Sequence, residues 1–134
     1  MTITHHSLIK WEKNLKKVLD DLDDLLESRF GTQYPLHPAR SKRGSTANKA
    51  HDGLFDITAA FSLGTGSDIG KGYVVDIHMV TLEKVPEKIK TKINNATLKI
   101  LRSKLPEYFP GRNLKVDKEG HIIKIYGDLS LGDL

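Results

Sequence analysis

Basic residues are concentrated in two segments of the sequence, where they could bind phosphate groups. The segment 32–53 carries six basic side chains: His37, Arg40, Lys42, Arg43, Lys49 and His51. Along 84–102 a polar row recurs at steps of three and four: Lys84, Lys88, Lys92, Asn95, Lys99 and Arg102. Lysines act as point charges toward phosphates, and a loop rich in glycine and hydroxyl residues offers backbone N–H donors. The pattern predicts a surface for nucleic acid or a phosphorylated ligand.

The same charges also have a purely structural explanation. An acidic run lies upstream of both basic segments: Asp20, Asp21, Asp23, Asp24 and Glu27. If the acidic segment packs against a basic one, the opposite charges neutralise each other, within one chain or across a dimer. Few aromatic residues lie among the basic ones, so stacking on single-stranded bases has little support. A structural homo-oligomer subunit without intrinsic activity therefore stays open as an alternative.

A second constellation consists of two carboxylates and one imidazole, Asp56, Asp76 and His78, on the polar faces of two predicted strands. Same-face side chains on paired strands lie roughly 5 to 7 Å apart, so the three groups can converge. They could bind a divalent metal, or a carboxylate could orient the imidazole as a general base. His37 or His51 could complete such a site. A small metal-dependent or general-base enzyme is the resulting alternative, although the sequence has no metal-ligand motif of fixed spacing.

The turn between these two strands sets their register. A turn centred on Asp68 places Thr58 opposite His78, with Asp56 diagonally across from the same imidazole. The turn sequence GTGSDIGKG is rich in glycine, but a phosphate-binding loop of the nucleotide-binding type opens a helix, and here a strand follows. We therefore expect a flexible hairpin turn.

Hydrophobic spacing predicts two long helices. Apolar residues at 8, 11, 15, 18, 22 and 25, in a stripe widened by Leu19, Leu26 and Phe30, predict an amphipathic helix over 8–30 that ends at Gly31. Apolar residues at 89, 93, 96 and 100 predict a second helix from Pro86 to about Leu105, ended by Pro106. The first stripe is also heptad-like, so a homodimer through the first helix is one expectation.

Two β-hairpins complete the predicted fold. Strict alternation over 55–63 and 73–79 predicts the first, and 114–116 with 122–126 predicts the second, with a further short strand considered near Leu129. The order α-β-β-α-β-β predicts an α+β fold, in which an antiparallel sheet from two hairpins carries two long helices on one face.

The segment 32–53 is expected to be a long irregular basic loop, because it lacks a hydrophobic period and contains two prolines and two glycines. A chain of 134 residues suits a single domain spanning 1–134, with one hydrophobic core. Cysteine is absent, which excludes disulfides and thiol chemistry, and no apolar run approaches the roughly 20 residues of a membrane span. The N-terminal residues lack the apolar region of a secretion signal, so a cytoplasmic location is expected.

These patterns favour a small cytoplasmic binding or adaptor module. The net charge of +4 permits a polyanionic partner. Charge would come from the loop residues Arg40, Lys42, Arg43 and Lys49, and the surface would extend along Lys88, Lys92, Lys99 and Arg102. No cofactor is indicated by the sequence.

Overall fold

The computed structural model describes the backbone of residues 2–129 and the side chains of residues 8–129. It has the predicted order of elements, and the α+β fold is confirmed. The helices are α1 (Thr2–Phe30) and α2 (Glu87–Tyr108), and a short 3-10 turn spans Lys49–His51. The strands are β1 (Phe55–Ser62), β2 (Gly72–Met79), β3 (Leu114–Glu119) and β4 (Ile122–Gly127).

The apolar stripe of α1 forms one side of the core. Its buried residues follow helical spacing: Trp11, Leu15, Val18, Leu19, Leu22, Leu26 and Phe30. The predicted stripe is confirmed at Leu19, Leu26 and Phe30, which are buried, whereas Leu25, which it also included, is exposed. Leu25 therefore lies at the border between the buried and the exposed face of the helix.

The second helix continues three residues beyond its predicted end. Pro106 was predicted to end it but lies inside its last turn. A proline there removes only one backbone N–H donor, and Leu105 and Phe109 on either side are buried in the core. The N–H of Phe109 still donates to the carbonyl of Leu105 at 2.8 Å. Packing of these two side chains outweighs the lost hydrogen bond.

The four strands form one antiparallel sheet in the order β1-β2-β4-β3. Helix α1 contacts β1, helix α2 contacts β3, and the two helices contact each other in one shared core, so both lie over the same face. That face supplies the other side of the core, through Phe55, Ile57, Val75, Val116, Ile123 and Ile125. Leu129 packs against this core but forms no strand, and Ser130 lies outside the described residues.

The register of the first hairpin differs from the predicted one by two residues. Asp56 faces His78 directly, and Thr58 faces Asp76. The turn is therefore centred on Ser67 rather than Asp68, because its chain folds back on itself at Gly64 and Gly70, both with positive φ angles. A shift of two residues keeps each side chain on its predicted face of the sheet.

Neither described helix has the length and apolarity needed to cross a bilayer.

Candidate functional site

The basic loop, residues 32–53, is held in place by its own arginines. Arg40 donates hydrogen bonds to four backbone carbonyls: Ala50 (2.6 Å), Gly53 (2.9 Å), Phe55 (2.9 Å) and Asp52 (3.1 Å). A chain without regular structure must satisfy its carbonyls in some other way, and a guanidinium offers five donors in a fixed fork. Arg40 therefore orders the loop from inside.

Asp52 is the second anchor of the basic loop. Its buried carboxylate accepts the N–H groups of Gly44 (3.1 Å) and Thr46 (3.0 Å) and pairs with Arg43 at 3.2 Å. Burial alone would raise the pKa of Asp52, but the Thr46 and Gly44 hydrogen bonds and the Arg43 charge outweigh it and hold the pKa below its usual value. The loop is thus folded around an ionised carboxylate.

Arg43 joins the basic loop to the acidic side of α1. Its guanidinium lies 2.7 Å from Asp23 and 2.7 Å from Asp24, and Lys49 also pairs with Asp24. The neutralisation of charge considered from the sequence thus occurs within the chain, but mainly between α1 and the loop. Helix α2 contacts the acidic residues of α1 at Asp21, which accepts a hydrogen bond from the Tyr108 hydroxyl at 2.7 Å.

Asp23 has an unusual electrostatic position among these acids. Only 2% of its surface is exposed, and it faces Arg43 as an ion pair without a well-aligned hydrogen bond at Oδ1. Burial raises the pKa of Asp23 to about 7; the nearby carboxylate of Glu27 adds to this rise, and Arg43 opposes it.

The rest of the basic loop offers few free cations. His37 is half-buried, and its Nδ1 accepts the N–H of Ala39 at 3.0 Å. Lys42 and His51 are exposed, and within residues 8–129 their side chains form no ion pair. Of the six loop residues predicted to bind an anion, the structure leaves these two facing solvent without a partner.

The α2 flank, defined as Lys88, Lys92 and Lys99, differs from the basic loop in that its cations are exposed and have no ion pair within the described residues. Arg102, predicted to extend this row, is instead fastened to β3, donating to the Val116 carbonyl at 2.7 Å and to Asp117 at 2.9 Å. Lys84 is exposed just before the helix begins.

The segment that contains α2 and β3 also carries the whole excess of positive charge. Residues 83–119 contain ten Lys and Arg against five Asp and Glu, a net charge of +5. The remainder of the chain has eleven cations against twelve acids, a net charge of −1. A count of charge by segment could have identified residues 83–119 from the sequence, including Lys115 and Lys118 of β3, which the predicted set did not contain.

The second predicted constellation lies beside a groove. Strand β2 pairs with β4 only over Tyr73–Val75, so its last residues are left open on that side. A groove of about 650 Å³ separates them from the start of α2 and from the β3–β4 turn. Its lining includes Asp76 and His78, together with Lys118 and His121, which the predicted site did not contain.

The chemistry available in this groove is limited. Asp56 lies directly across the ladder from His78 but does not line the groove. Among the side chains that the structure describes, no three His, Asp or Glu residues converge as a metal site requires. The arrangement therefore provides one imidazole with a carboxylate facing it on the neighbouring strand.

The glycine-rich loop, residues 63–71, covers part of the sheet face that carries Asp76 and His78. It buries Lys124, which is only 3% exposed and donates to Ser67 Oγ (2.9 Å) and the Gly70 carbonyl (2.8 Å). Glu119 accepts the Ser67 hydroxyl and the N–H of Asp68 (2.7 Å), and these hydrogen bonds hold the pKa of Glu119 below its usual value. The predicted free turn is instead docked on β3 and β4.

Comparison with known proteins gives a family without a described activity. A family model with the description "Uncharacterised protein" matches residues 6–127. An uncharacterized protein of Borreliella burgdorferi is 39% identical over 118 residues, which cover 88% of this chain and 92% of the relative. No solved structure matches the chain. With most of its length matched, the chain belongs to this family of uncharacterised proteins.

Proposed function

We propose that the protein is a cytoplasmic binding module that holds the phosphate backbone of a nucleic acid along the α2 flank. The observation that carries this proposal is the row of Lys88, Lys92 and Lys99, which has no ion pair within the described residues and lies on the segment 83–119 with a net charge of +5. Exposed, uncompensated lysines repel one another, and a polyanion relieves that repulsion while releasing its own counterions.

The spacing of the α2 flank suits a polymer better than a small anion. Between Lys88 and Lys99 the helix rises about 16 Å, at about 1.5 Å per residue. One strand of duplex DNA carries a phosphate about every 3.4 Å of helix axis, so the flank is long enough to meet several phosphates. The lysine stems lie against a rigid helix, and their ammonium groups reach outward.

The α2 flank, rather than the basic loop, is the surface that we assign to the anion. Arg40, Arg43 and Lys49 are engaged with carbonyls and carboxylates of the chain itself. Replacing them with alanine would disorder the loop, so a loss of binding in such a variant would not identify a contact surface. The loop contributes Lys42 and His51 at most.

The test is binding of a short DNA duplex over a salt series, for the wild type and for two triple variants of equal charge. One variant replaces the α2 flank (Lys88→Gln, Lys92→Gln, Lys99→Gln), and the control replaces three exposed lysines of α1 (Lys10→Gln, Lys13→Gln, Lys17→Gln). Each lost phosphate contact reduces the slope of log K against log salt by about 0.9, so we expect the flank variant to lose about 2 to 3 from the slope.

The control variant should keep most of the slope, because it changes the net charge without removing contacts. Equal losses in the two variants would show that overall charge alone drives binding. Unchanged binding in the flank variant, or no binding by the wild type at low salt, would contradict the proposal.

A second candidate function is general-base catalysis at His78, favoured by Asp56 directly opposite His78 and by the groove of about 650 Å³ that reaches the imidazole. The carboxylate would fix the orientation of the imidazole, which would accept a proton from water. A panel of hydrolysable esters tests this role, and turnover should fall in both His78→Gln and Asp56→Asn. His121→Gln changes another imidazole of the groove and should keep activity. Turnover that survives the first two substitutions, or no turnover at all, would exclude the role.

A further inference from the structure

Strand β1 forms one edge of the sheet, and the direction of its backbone groups follows from its pairing. The N–H of Val80 donates to the carbonyl of Leu54 at 2.7 Å, one step beyond the β1–β2 ladder. In an antiparallel ladder the residues alternate in direction, so Asp56, Thr58 and Ala60 also direct their N–H and C=O groups toward β2. The residues between them direct these groups away from the sheet.

Among these outward-directed residues of the described chain, only the first, Phe55, has hydrogen-bond partners for its backbone groups. The N–H of Phe55 donates to Glu27 at 2.9 Å, and its carbonyl accepts a hydrogen bond from Arg40 at 2.9 Å. Within the described chain, the backbone groups of Ile57, Ala59 and Phe61 have no partner on that side. Three donors and three acceptors are therefore open along the edge.

The edge also lacks the usual protection against pairing with another strand. Natural edge strands carry lysine, proline or a bulge that discourages such pairing. Strand β1 has none of these residues, and its only charge is Asp56. Beside the open segment, Phe61 is 51% exposed and Leu63 is 76% exposed. These features favour pairing with a further strand.

We infer that β1 of a second copy of this chain pairs antiparallel with this edge, about a two-fold axis at Ala59. Ala59 then faces Ala59 of the second copy, and Ile57 faces its Phe61. Each of the three pairs exchanges two hydrogen bonds, so all the open groups of both edges are satisfied. The result is a continuous eight-stranded sheet with a symmetric interface.

The charge of β1 fits a second copy in this arrangement. Asp56 lies opposite Ser62 of the second copy, so the like charges stay apart.

This dimer differs from the one expected from the heptad-like spacing of α1, because strands rather than helices form the contact. It is independent of the proposed binding of nucleic acid, since α2 and β3 lie at the far side of the sheet from β1.

The first test measures molar mass by light scattering during gel filtration. A chain of 15.0 kDa should elute with a mass of about 30 kDa. Ala59→Pro removes an N–H that does not belong to the β1–β2 ladder, so the variant should keep its circular dichroism and elute as a monomer. A wild type with the mass of one chain at all concentrations, or a folded Ala59→Pro variant that stays dimeric, would overturn the inference.

The second test uses cysteines, because the natural chain has none. Thr58 and Ala60 of the two copies form a pair without backbone hydrogen bonds, with Cα atoms about 4.5 Å apart, which a disulfide can bridge. An oxidised mixture of Thr58→Cys and Ala60→Cys proteins should form more disulfide dimer than either protein alone. Ser103→Cys, exposed on α2, is the control. Equal cross-linking in all samples would exclude this register.

Discussion

Positive charge has two different roles in this chain, as the arginines of the basic loop and the lysines of the α2 flank show. The two arginines of the basic loop, Arg40 and Arg43, have planar groups that satisfy several oxygens at once, and both are used inside the structure. The lysines of the α2 flank carry point charges on long stems and stay in solvent. An arginine in a loop without regular structure is thus a candidate anchor for the loop before it is a candidate ligand for a partner.

Asp23 makes the stability of the protein depend on pH near neutrality. Its pKa is about 7 in the folded chain and close to 3.8 when exposed, so between these values only the folded state keeps the proton. The free energy of unfolding therefore falls as the pH rises from about 4 to about 7. Asp23→Asn removes this loss. From pH 5 to pH 8 we expect the variant to gain ~1–3 kcal/mol relative to the wild type.

Urea unfolding at the two pH values measures this difference. Asp24→Asn is the matched control, since Asp24 also contacts Arg43. Burial raises the pKa of Asp24, but the hydrogen bonds from Lys49 and Arg43 outweigh it, so the pKa stays below its ordinary value and the carboxylate is ionised throughout the range. If the difference in the free energy of unfolding between the wild type and Asp23→Asn did not vary with pH, Arg43 would be keeping Asp23 ionised.

For single residues, the sequence predicted the face of the sheet on which a side chain lies better than the residue opposite it on the neighbouring strand. Alternation placed Asp56, Asp76 and His78 on one face of the sheet correctly, because that depends only on the two-residue period of a strand. The residue opposite His78 was predicted wrongly, because it depends on how many residues the turn consumes. The turn is also held by Glu119, about fifty residues further along the chain, and such a contact leaves no local pattern in the sequence.

Among the elements, the helices, the strands and the irregular backbone of the basic loop followed from the sequence, but the contacts that order this loop did not. Hydrophobic periodicity is local, so it predicted both helices and both hairpins to within three residues, except that α1 begins six residues earlier, at Thr2. The loop is ordered by contacts with distant residues, such as the hydrogen bond from Leu54 N–H to Glu27 and the ion pair between Asp23 and Arg43. Such contacts leave no periodic pattern, and their cations resemble a binding surface.

The glycine-rich loop allows a stringent test of its packing. Gly64 and Gly66 both have a positive φ angle, but a Cβ on Gly64 would lie 2.1 Å from the Gly70 backbone, whereas a Cβ on Gly66 meets nothing within 4 Å. Gly66→Ala should therefore cost only the conformational strain, ~1–2 kcal/mol. Gly64→Ala should cost at least ~1 kcal/mol more, because the turn must open and uncover Lys124. Equal losses of stability in urea would contradict the close packing.

As a whole, the molecule has two electrostatically different sides. On the side of α1 and the basic loop, acids and cations are paired and several are buried. On the side of α2 and β3 lies the net charge of +5, with the α2 flank free in solvent. A separation of this kind orients an approaching polyanion toward one side, and the effect weakens as salt shortens the range of the field.

We propose that the α2 flank, and not the basic loop, contacts the anionic partner. Titration of isotopically labelled protein with a short DNA duplex, followed by NMR, distinguishes the two surfaces. We expect chemical-shift changes along residues 88–102 and the adjoining part of β3, which weaken as salt is added, with the basic loop unchanged. Changes confined to residues 37–51 or to the groove beside His78, or no changes at low salt, would contradict it.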